Sequence, residues 1–448
     1  MHASSHTETA SKFRLFFWSL TAALAGFLFG FDAVVISGAE QKIQAIWSLS
    51  DGMHGLVMSM ALWGTVLGSL LGGFPAERFG RRQTLIYIGL LYFVSAVWSG
   101  LAAGPYGFMV ARFIGGLGVG ISTVAAPMFI SEIAPAKDRG RLAGMFQFNI
   151  VFGILVAFVS NSLISGTSPN DWRWMLGIEA LPALLYTILC FRIPESPRWL
   201  IFHAGRLEEG AAVYRCVHPD LSEEQIQEKV RQIARDPDQE HVRHRFWSRR
   251  LRKPILLAFL VAFFNQLSGI NAILFFAPRI FEMTGLGTEA ALLQSIGIGL
   301  TNLVFTFVGL YLIDRLGRRT LLYIGSFGYI ISLGLCAWAF KAEVYGIVPA
   351  CIFAFIAAHA VGQGTVIWVL IGEIFPNRNR SAGQSLGSFT HWIFAASLTL
   401  VFPKMAASFH PSSIFAFFCF MMVLQLLWVK FMVPETKGRT LEEIEQDL

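Results

Sequence analysis

Two charged residues stand inside long apolar segments of this sequence, Asp32 in the stretch 15–39 and Arg112 in the stretch 104–131. A charge at the middle of a membrane costs from about 2.5 kcal/mol upward, so it is seldom retained without a partner or a function. We expect Asp32 and Arg112 to face each other. Protonation of Asp32 would then weaken the pair, so that a proton is exchanged for a conformational step. The alternative is a permanent buried ion pair that does not titrate.

Amide, imidazole and indole side chains form a second polar group in the apolar segments. Such groups suit a mostly apolar binding pocket, where a few hydrogen-bonding groups fix a ligand and rings cover its apolar faces. For any single amide the alternative is a hydrogen bond between helices, worth roughly 0.6 kcal/mol. The group comprises Gln147, Asn265, Gln266, Asn271, Asn302, Trp368, His391 and Trp392.

Two further titratable residues in apolar segments have open roles. His391 would either bind a ligand as a neutral imidazole, titrate near neutral pH or simply pack against its neighbours. Glu179 is the single charge in the segment 174–191, and we expect a structural role for it.

The charge distribution predicts the elements that position these residues. Of the 448 residues 54% are hydrophobic and only 14% charged, which argues against a soluble enzyme, a disordered chain or a nucleic-acid binder. A membrane-spanning helix needs about 20 apolar residues. Three stretches of that order contain one charge each: 15–39, 104–131 and 174–191. Nine stretches contain none: 52–76, 83–111, 142–170, 254–278, 290–313, 320–340, 344–372, 381–403 and 405–429. The sequence therefore predicts an all-α membrane protein with twelve spans.

The basic residues predict the orientation of these spans. With the N-terminus inside, 29 of the 35 Lys and Arg residues fall in cytoplasmic segments, which is the positive-inside pattern. Both termini are then cytoplasmic, and we expect no cleaved signal peptide. The five cysteines show no metal-ligand spacing, so we expect neither a metal nor a cofactor.

Three short motifs occur twice at nearly constant offsets. The stretch Glu77–Arg82 recurs at Asp314–Arg319, Glu132-Ile-Ala-Pro recurs at Glu373, and Pro194-Glu195 recurs at Pro434, at offsets of 237, 241 and 240 residues. Such a repeat predicts two six-helix bundles in the same orientation.

The repeated charges fall at cytoplasmic ends of spans. Arginine forms bidentate bonds with carboxylates, so these residues predict a network between the bundles that clamps the cytoplasmic side when it is closed and breaks when it opens. The alternative is that each residue only anchors a helix end. The candidate gate residues are Glu77, Arg78, Arg81, Arg82, Glu132, Arg139, Asp314, Arg315, Arg318, Arg319, Glu373 and Arg380.

A polar stretch divides the chain into an N-terminal bundle at 1–192, a cytoplasmic linker at 193–253 and a C-terminal bundle at 254–448. Within the linker, Ser222 and Gln225 have capping-box spacing and predict an amphipathic helix with Ile226, Val230 and Ile233 on one face. The basic segment 243–253 favours a lipid anchor over a nucleic-acid patch.

Several longer strings extend from the first span to the C-terminus, among them GGFPAERFGRR, SEIAPAKDRGR, PESPRWL, NQLSGINAILFF, GEIFPNRNR and PETKGRTLEEIE. In these strings the chain resembles the sugar porter family of the major facilitator superfamily. The resemblance implies two six-helix bundles with short intracellular helices, alternating access and a monosaccharide or related polyol as substrate.

The resemblance also implies roles for individual residues. Proton-coupled members carry Asp and Arg at the positions of Asp32 and Arg112. Residues that line the sugar site in the family match Gln147, Gln266, Asn271, Asn302, Trp368 and Trp392, with Phe29 as a nearby aromatic ring.

Five positions depart from the family pattern. Asn265 replaces a second Gln, and Phe275 and Phe276 replace a Tyr pair. Thr365 replaces the Pro of a Gly-Pro-x-x-Trp signature, and His391 lies where Gln or Asn is common. The loss of two hydroxyls indicates a drier external gate or a different hydroxyl pattern in the sugar.

These observations predict a proton-coupled monosaccharide symporter of the cell membrane whose partners are the sugar, the proton and the lipid bilayer, with a monomeric functional unit. An uncoupled uniporter is the alternative. A sugar sensor is less favoured because only a short tail follows the last span, and a membrane enzyme because no nucleophile, metal or cofactor motif is present.

Overall fold

The computed structural model describes residues 2–135, 138–219, 221–235, 246–376 and 379–438, with only the backbone described at 2–10, 139, 140 and 143. Every regular element within these ranges is helical. Helices are the form in which a chain crosses lipid on its own, because each backbone N–H and C=O is paired inside the segment.

The first half contains six spans. Span 1 is α1 with a following 3-10 turn, spans 2 to 5 are α3, α5, α6 and α7, and span 6 is α8 followed by α9. The helices are α1 (His2–Val35), α2 (Glu40–Ile46), α3 (Asp51–Leu71), α4 (Gly73–Phe79), α5 (Arg81–Leu101), α6 (Pro105–Ile133), α7 (Arg139–Ile164), α8 (Asp171–Gly177) and α9 (Ala180–Cys190).

Three short helices lie in the stretch between the halves: α10 (Pro197–Phe202), α11 (Leu207–Val217) and α12 (Glu223–Ala234). The predicted capping box at the start of α12 is confirmed, because the Gln225 N–H donates to Ser222 Oγ and the Ser222 N–H donates to Gln225 Oε1. Ile226 and Val230 are buried against α10 and α11, as the predicted apolar face requires. The part of the basic segment at 243–245 lies outside the described residues.

The second half contains the other six spans. Span 7 is α13 with α14, spans 8 and 9 are α16 and α17, span 10 is α18 with α19, and spans 11 and 12 are α20 and α21. The helices are α13 (Arg252–Leu267), α14 (Ile270–Phe275), α15 (Ala277–Glu282), α16 (Thr288–Leu316), α17 (Arg318–Lys341), α18 (Val348–His359), α19 (Thr365–Ile374), α20 (Arg380–Ser408) and α21 (Pro411–Met432). Twelve segments of the described chain are thus long and apolar enough to cross a membrane, which confirms the predicted number.

The two halves meet along two helix pairs, α3 with α20 and α7 with α16. Gly55 of α3 marks a close approach, because a Cβ atom there would lie 1.9 Å from the carbonyl oxygen of Leu400 in α20. On the side of the membrane opposite the linker, α14 and α15 pack against the end of span 1. The bundles are therefore closed on that side.

Two spans of the second half are interrupted where they pass the centre. Span 7 breaks at Gly269, whose φ of 87° suits glycine and whose missing side chain leaves room for the ring of Phe418. Span 10 contains a π-helical turn at Ala360–Gly364, a feature often found at functional sites. The Thr365 hydroxyl donates to the Ala360 carbonyl at 2.6 Å, so this residue completes the widened turn where the family pattern has a proline.

Candidate functional site

A charge cluster lies in the interior of the first bundle. Asp32 on α1 and Arg112 on α6 are 1% and 2% exposed. Arg112 Nη1 donates to Asp32 Oδ1 at 2.5 Å, and Nη2 donates to the Asp32 backbone carbonyl at 3.0 Å. The guanidinium is therefore oriented by both the side chain and the backbone of its partner.

Glu179 belongs to the same cluster. It lies where α8 passes into α9, is 1% exposed and has its carboxyl group within hydrogen-bonding reach of Asp32. Its Oε1 has no hydrogen-bond partner among the described residues. The sequence identified Glu179 as a lone charge in span 6 but carried no signal that it faces Asp32, so the expectation of a purely structural role overlooked this contact.

A polar cluster, the candidate binding pocket, lies in the second bundle at the break in span 7. Gln266 is at its centre: its Oε1 accepts from Asn271 Nδ2 at 2.6 Å, and its Nε2 donates to Asn265 Oδ1 at 2.9 Å. The same Nε2 lies 3.2 Å from both ring nitrogens of His391. Gly269 makes this arrangement possible, because the break brings Asn271 of α14 back over Gln266 of α13.

Aromatic rings complete the pocket. The His391 ring lies 5.3 Å from Trp368 and 4.7 Å from Trp392, and Trp392 lies 5.6 Å from Phe29 of the first bundle. The Trp392 indole N–H is buried with no partner in the described part of the chain. A ligand hydroxyl is the kind of acceptor that would satisfy it.

Gln147 and Asn302 lie on the two helices that close the other side of the centre. Asn302 is one turn from Gly299, which packs against Leu155 of α7, the helix that carries Gln147. The hydrogen bonds described for the pocket do not extend to either amide. The structure therefore joins Phe29, Asn265, Gln266, Asn271, Trp368, His391 and Trp392 by direct contacts and places Gln147 and Asn302 on neighbouring helices.

The repeated motifs form matching networks on the linker side. Arg81 makes a bidentate pair with Glu132, with N···O distances of 2.9 and 2.7 Å, and Arg318 makes the same pair with Glu373 at 3.0 and 2.7 Å. A hydroxyl from the third motif joins each pair: Ser196 in the first and Thr436 in the second, both at 2.6 Å.

The third motif also caps the helix that carries each arginine. Glu195 accepts the backbone N–H groups of Arg81 and Arg82, and Glu435 does the same for Arg318 and Arg319. Burial raises the pKa of Glu195, and these backbone donors oppose that shift.

The other predicted gate residues lie around these pairs. Arg82 and Arg319 donate to the backbone carbonyls of Phe191 and Lys430, while Asp314 accepts from Arg318 at 3.1 Å. The Glu77 carbonyl accepts from Trp199, and Arg78 and Arg315 lie over aromatic rings. Arg380 Nε is buried without a described partner, and the side chain of Arg139 lies outside the described residues. The carboxylate pairs join helices of the same bundle, so in this conformation they do not clamp the bundles together.

Two six-helix bundles around a shared central pocket define a membrane transporter with the major facilitator fold. A family model described as "Sugar (and other) transporter" matches residues 18–448. The chain belongs to this family, the sugar porters of the major facilitator superfamily, and it is a multi-pass plasma-membrane transporter rather than an enzyme.

Individual relatives are similar over nearly their full lengths. The D-xylose-proton symporter of Escherichia coli (strain K12) is 33% identical, over 96% of this chain and 95% of the relative. The arabinose-proton symporter of Bacillus subtilis (strain 168) is 34% identical, over 96% and 94%. The inward open conformation of the xylose transporter XylE from E. coli superposes with a TM-score of 0.85 at 32% identity, over 96% of this chain and 99% of that chain.

Proposed function

We propose that this transporter imports a monosaccharide, a hexose or a pentose, by alternating access and couples import to proton entry through Asp32 and Arg112. The observation that carries the proposal is the buried pair of these residues with a second carboxyl group, Glu179, in reach. The printed activities of the xylose and arabinose relatives, both proton symporters, support it.

The charge cluster supports a simple coupling step. With Asp32 and Glu179 both ionised, the buried cluster has one more negative than positive charge. A proton on Asp32 removes the excess negative charge, and it weakens the attraction between Asp32 and Arg112 because the neutral carboxyl group no longer forms an ion pair. Loading and release of that proton would accompany the change between the two conformations.

Helix α1 connects the charge cluster to the pocket. Phe29 and Asp32 are three residues apart and therefore on one helix face, and Phe29 contacts Trp392 across the bundle interface. A shift of α1 when Asp32 is protonated would move the ring that touches the pocket. This contact supports coupling between proton and sugar without a direct bond between them.

The pocket suits a sugar because it offers amides for hydroxyl groups and rings for C–H faces. We propose that Gln266, Asn271 and the Trp392 N–H bind hydroxyls, that Trp368 and Phe29 cover the ring, and that His391 and Asn265 orient Gln266. Gln147 and Asn302 would bind from the opposite side when the bundles close over the sugar.

In this proposal the two moving bodies are residues 1–192 and 254–448, and residues 193–253 are a cytoplasmic linker between them. Both termini lie in the cytoplasm. A single chain is the functional unit. Closure on the side opposite the linker and the likeness to an inward open structure support an inward-facing conformation. The repeated carboxylate pairs then hold the helix ends that form the cytoplasmic gate, and the buried Nε of Arg380 supports a further contact when that gate closes.

Uptake into proteoliposomes tests the proposal. A labelled sugar that accumulates above equilibrium only under an inward proton gradient is the expected result, and a competition panel of pentoses and hexoses would identify the sugar. Equilibration without accumulation would indicate a uniporter and contradict the coupling.

A further inference from the structure

Three helices from both bundles meet at a buried ionic cluster on the side opposite the linker. Glu40 at the start of α2 is fully buried, and its carboxylate accepts hydrogen bonds from Arg279 Nε and Nη2 of α15, each at 2.8 Å. His54 of α3, also fully buried, has its Nε2 2.7 Å from the same carboxylate. Arg279 Nη2 donates in addition to Gln44 Oε1 at 2.6 Å.

The cluster crosses the boundary between the bundles. Glu40, Gln44 and His54 belong to the first half of the chain, whereas Arg279 belongs to the second. A second contact runs in parallel, from Gln41 Nε2 to Glu282 Oε2 at 2.8 Å. The linker-side pairs, in contrast, stay within one bundle.

We propose that Glu40, His54 and Arg279 form an external latch that closes the outer mouth and must separate each time the transporter opens outward. The inference rests on the proposed alternating access. It assigns to Arg279 a positioning role: the residue holds the outer part of span 7 against the first bundle.

The break at Gly269 explains how such a latch acts on the pocket. Asn271 and Arg279 lie on the same short segment, α14 with α15, beyond the break. Phe276, which lies between them in the sequence, is buried, stacks on Phe402 at 4.9 Å and has its ring 6.3 Å from the His54 ring, so apolar rings border the latch. When Arg279 releases Glu40, the segment that carries Asn271 is free to move away from Gln266.

An ion pair suits this task better than apolar packing. A buried pair adds little net stability, but loss of one partner leaves an uncompensated charge in the closed state. In an open mouth water hydrates both charges, so the same substitution costs less there. Removal of one partner should therefore shift the equilibrium towards the outward-open form.

The chain contains a matched control on the same side. Lys42 Nζ pairs with Asp171 Oδ1 at 2.6 Å and with Oδ2, and both residues belong to the first bundle. This pair is also partly buried, but its separation is not required for outward opening.

The test is the distance across the outer mouth in the full-length protein in lipid nanodiscs. Spin labels carried by unnatural amino acids at the exposed positions Ile46 and Thr288 leave the native cysteines in place. A second pair at Ile46 and Thr167, within the first bundle, reports on the fold. The variants are E40Q, R279Q, E40Q/R279Q and the control K42Q/D171N.

We expect E40Q and R279Q each to raise the ratio of long to short distances across the mouth by at least about tenfold. The double variant should shift it by less than the product of the two single shifts, and the control should stay at the wild-type ratio. Unchanged distances in both single variants, or an equal shift in the control, would overturn the latch. If R279Q alters the distance within the first bundle, the variant R279K replaces it. R279K keeps the charge but not the bidentate geometry, so it should give a smaller shift in the same direction. No shift in R279K would again overturn the latch.

The distances need no substrate, so a failure of sugar coupling leaves this test intact. If the sugar is also known, the outward shift should lower its apparent KM from outside and raise it from inside. Opposite changes of this kind do not arise from partial unfolding.

Discussion

The interiors of the two bundles hold opposite kinds of polar group. The first contains an arginine and two carboxyl groups, Arg112, Asp32 and Glu179, while the pocket of the second joins Asn265, Gln266, Asn271 and His391. On the linker side, by contrast, the two halves are alike, since the ion pairs Arg81–Glu132 and Arg318–Glu373 have nearly the same geometry. The centres of the two bundles thus differ while their linker-side pairs match, and the proposed function assigns the proton to the first centre and the sugar hydroxyl groups to the second.

The largest expected effect comes from neutralising the charge cluster of the first bundle. Asp32→Asn should retain exchange of sugar across the membrane but lose accumulation driven by a proton gradient, because the amide cannot release a proton. Both activities are measured in the same proteoliposomes. Unchanged accumulation would show that Asp32 does not carry the proton.

Removal of the cation should act on stability. Arg112→Met leaves two carboxyl groups without their partner and should lower the free energy of unfolding by about 3–5 kcal/mol. The double variant Asp32→Asn with Arg112→Met should recover part of that loss, since it leaves one carboxyl group, Glu179, without a partner instead of two. Unfolding in detergent measures both, and additive effects of the two substitutions would contradict the pairing.

On the uncharged side, Gln266→Ala should raise KM by roughly fivefold to a hundredfold, because it removes the amide that connects Asn265, Asn271 and His391. Gln425→Ala is the matched control: Gln425 is equally buried and bonded to Gln363 and Ser326, but lies outside the pocket. Equal effects of both variants on KM would argue against a role of Gln266 in binding.

The smallest expected effect sharpens the assignment of the pocket. Trp392→Phe keeps a ring but removes the unpartnered N–H, and should raise KM about twofold to tenfold for a sugar whose hydroxyl accepts from it. Trp428→Phe removes another buried N–H without a described partner, from α21 beside Phe264, and should leave KM unchanged. A sugar analogue that lacks the contacted hydroxyl should bind both Trp392 forms equally.

The fold followed from the sequence because the signal was local. Nine spans lack any charge and the other three contain one each, and the repeat predicted how the spans are grouped. Asp32 and Arg112 could be paired because few charges lie in the spans, so each had few possible partners.

Contacts that depend on helix packing were not accessible from the sequence. The sequence shows Glu179 as a charge in an apolar segment just as it shows Asp32. Helix packing, however, decides which face of span 6 contacts span 1. Glu40 and Arg279 are 239 residues apart and lie at span ends, where a charge is ordinarily solvated. For the gate, the residue types indicated pairs but not that these pairs form within each bundle.

The π-helical turn at Ala360–Gly364 has a consequence for the mapping of span 10. A turn closed by i to i+5 bonds holds about one residue more than an α-helical turn, which rotates all later positions by about 100°. A cysteine accessibility scan should therefore show two periodic patterns, one along α18 and one along α19, that are out of phase with each other. The directions of His359 and Trp368, which lie on either side of the turn, therefore differ by about 100° from those on a continuous α-helical wheel.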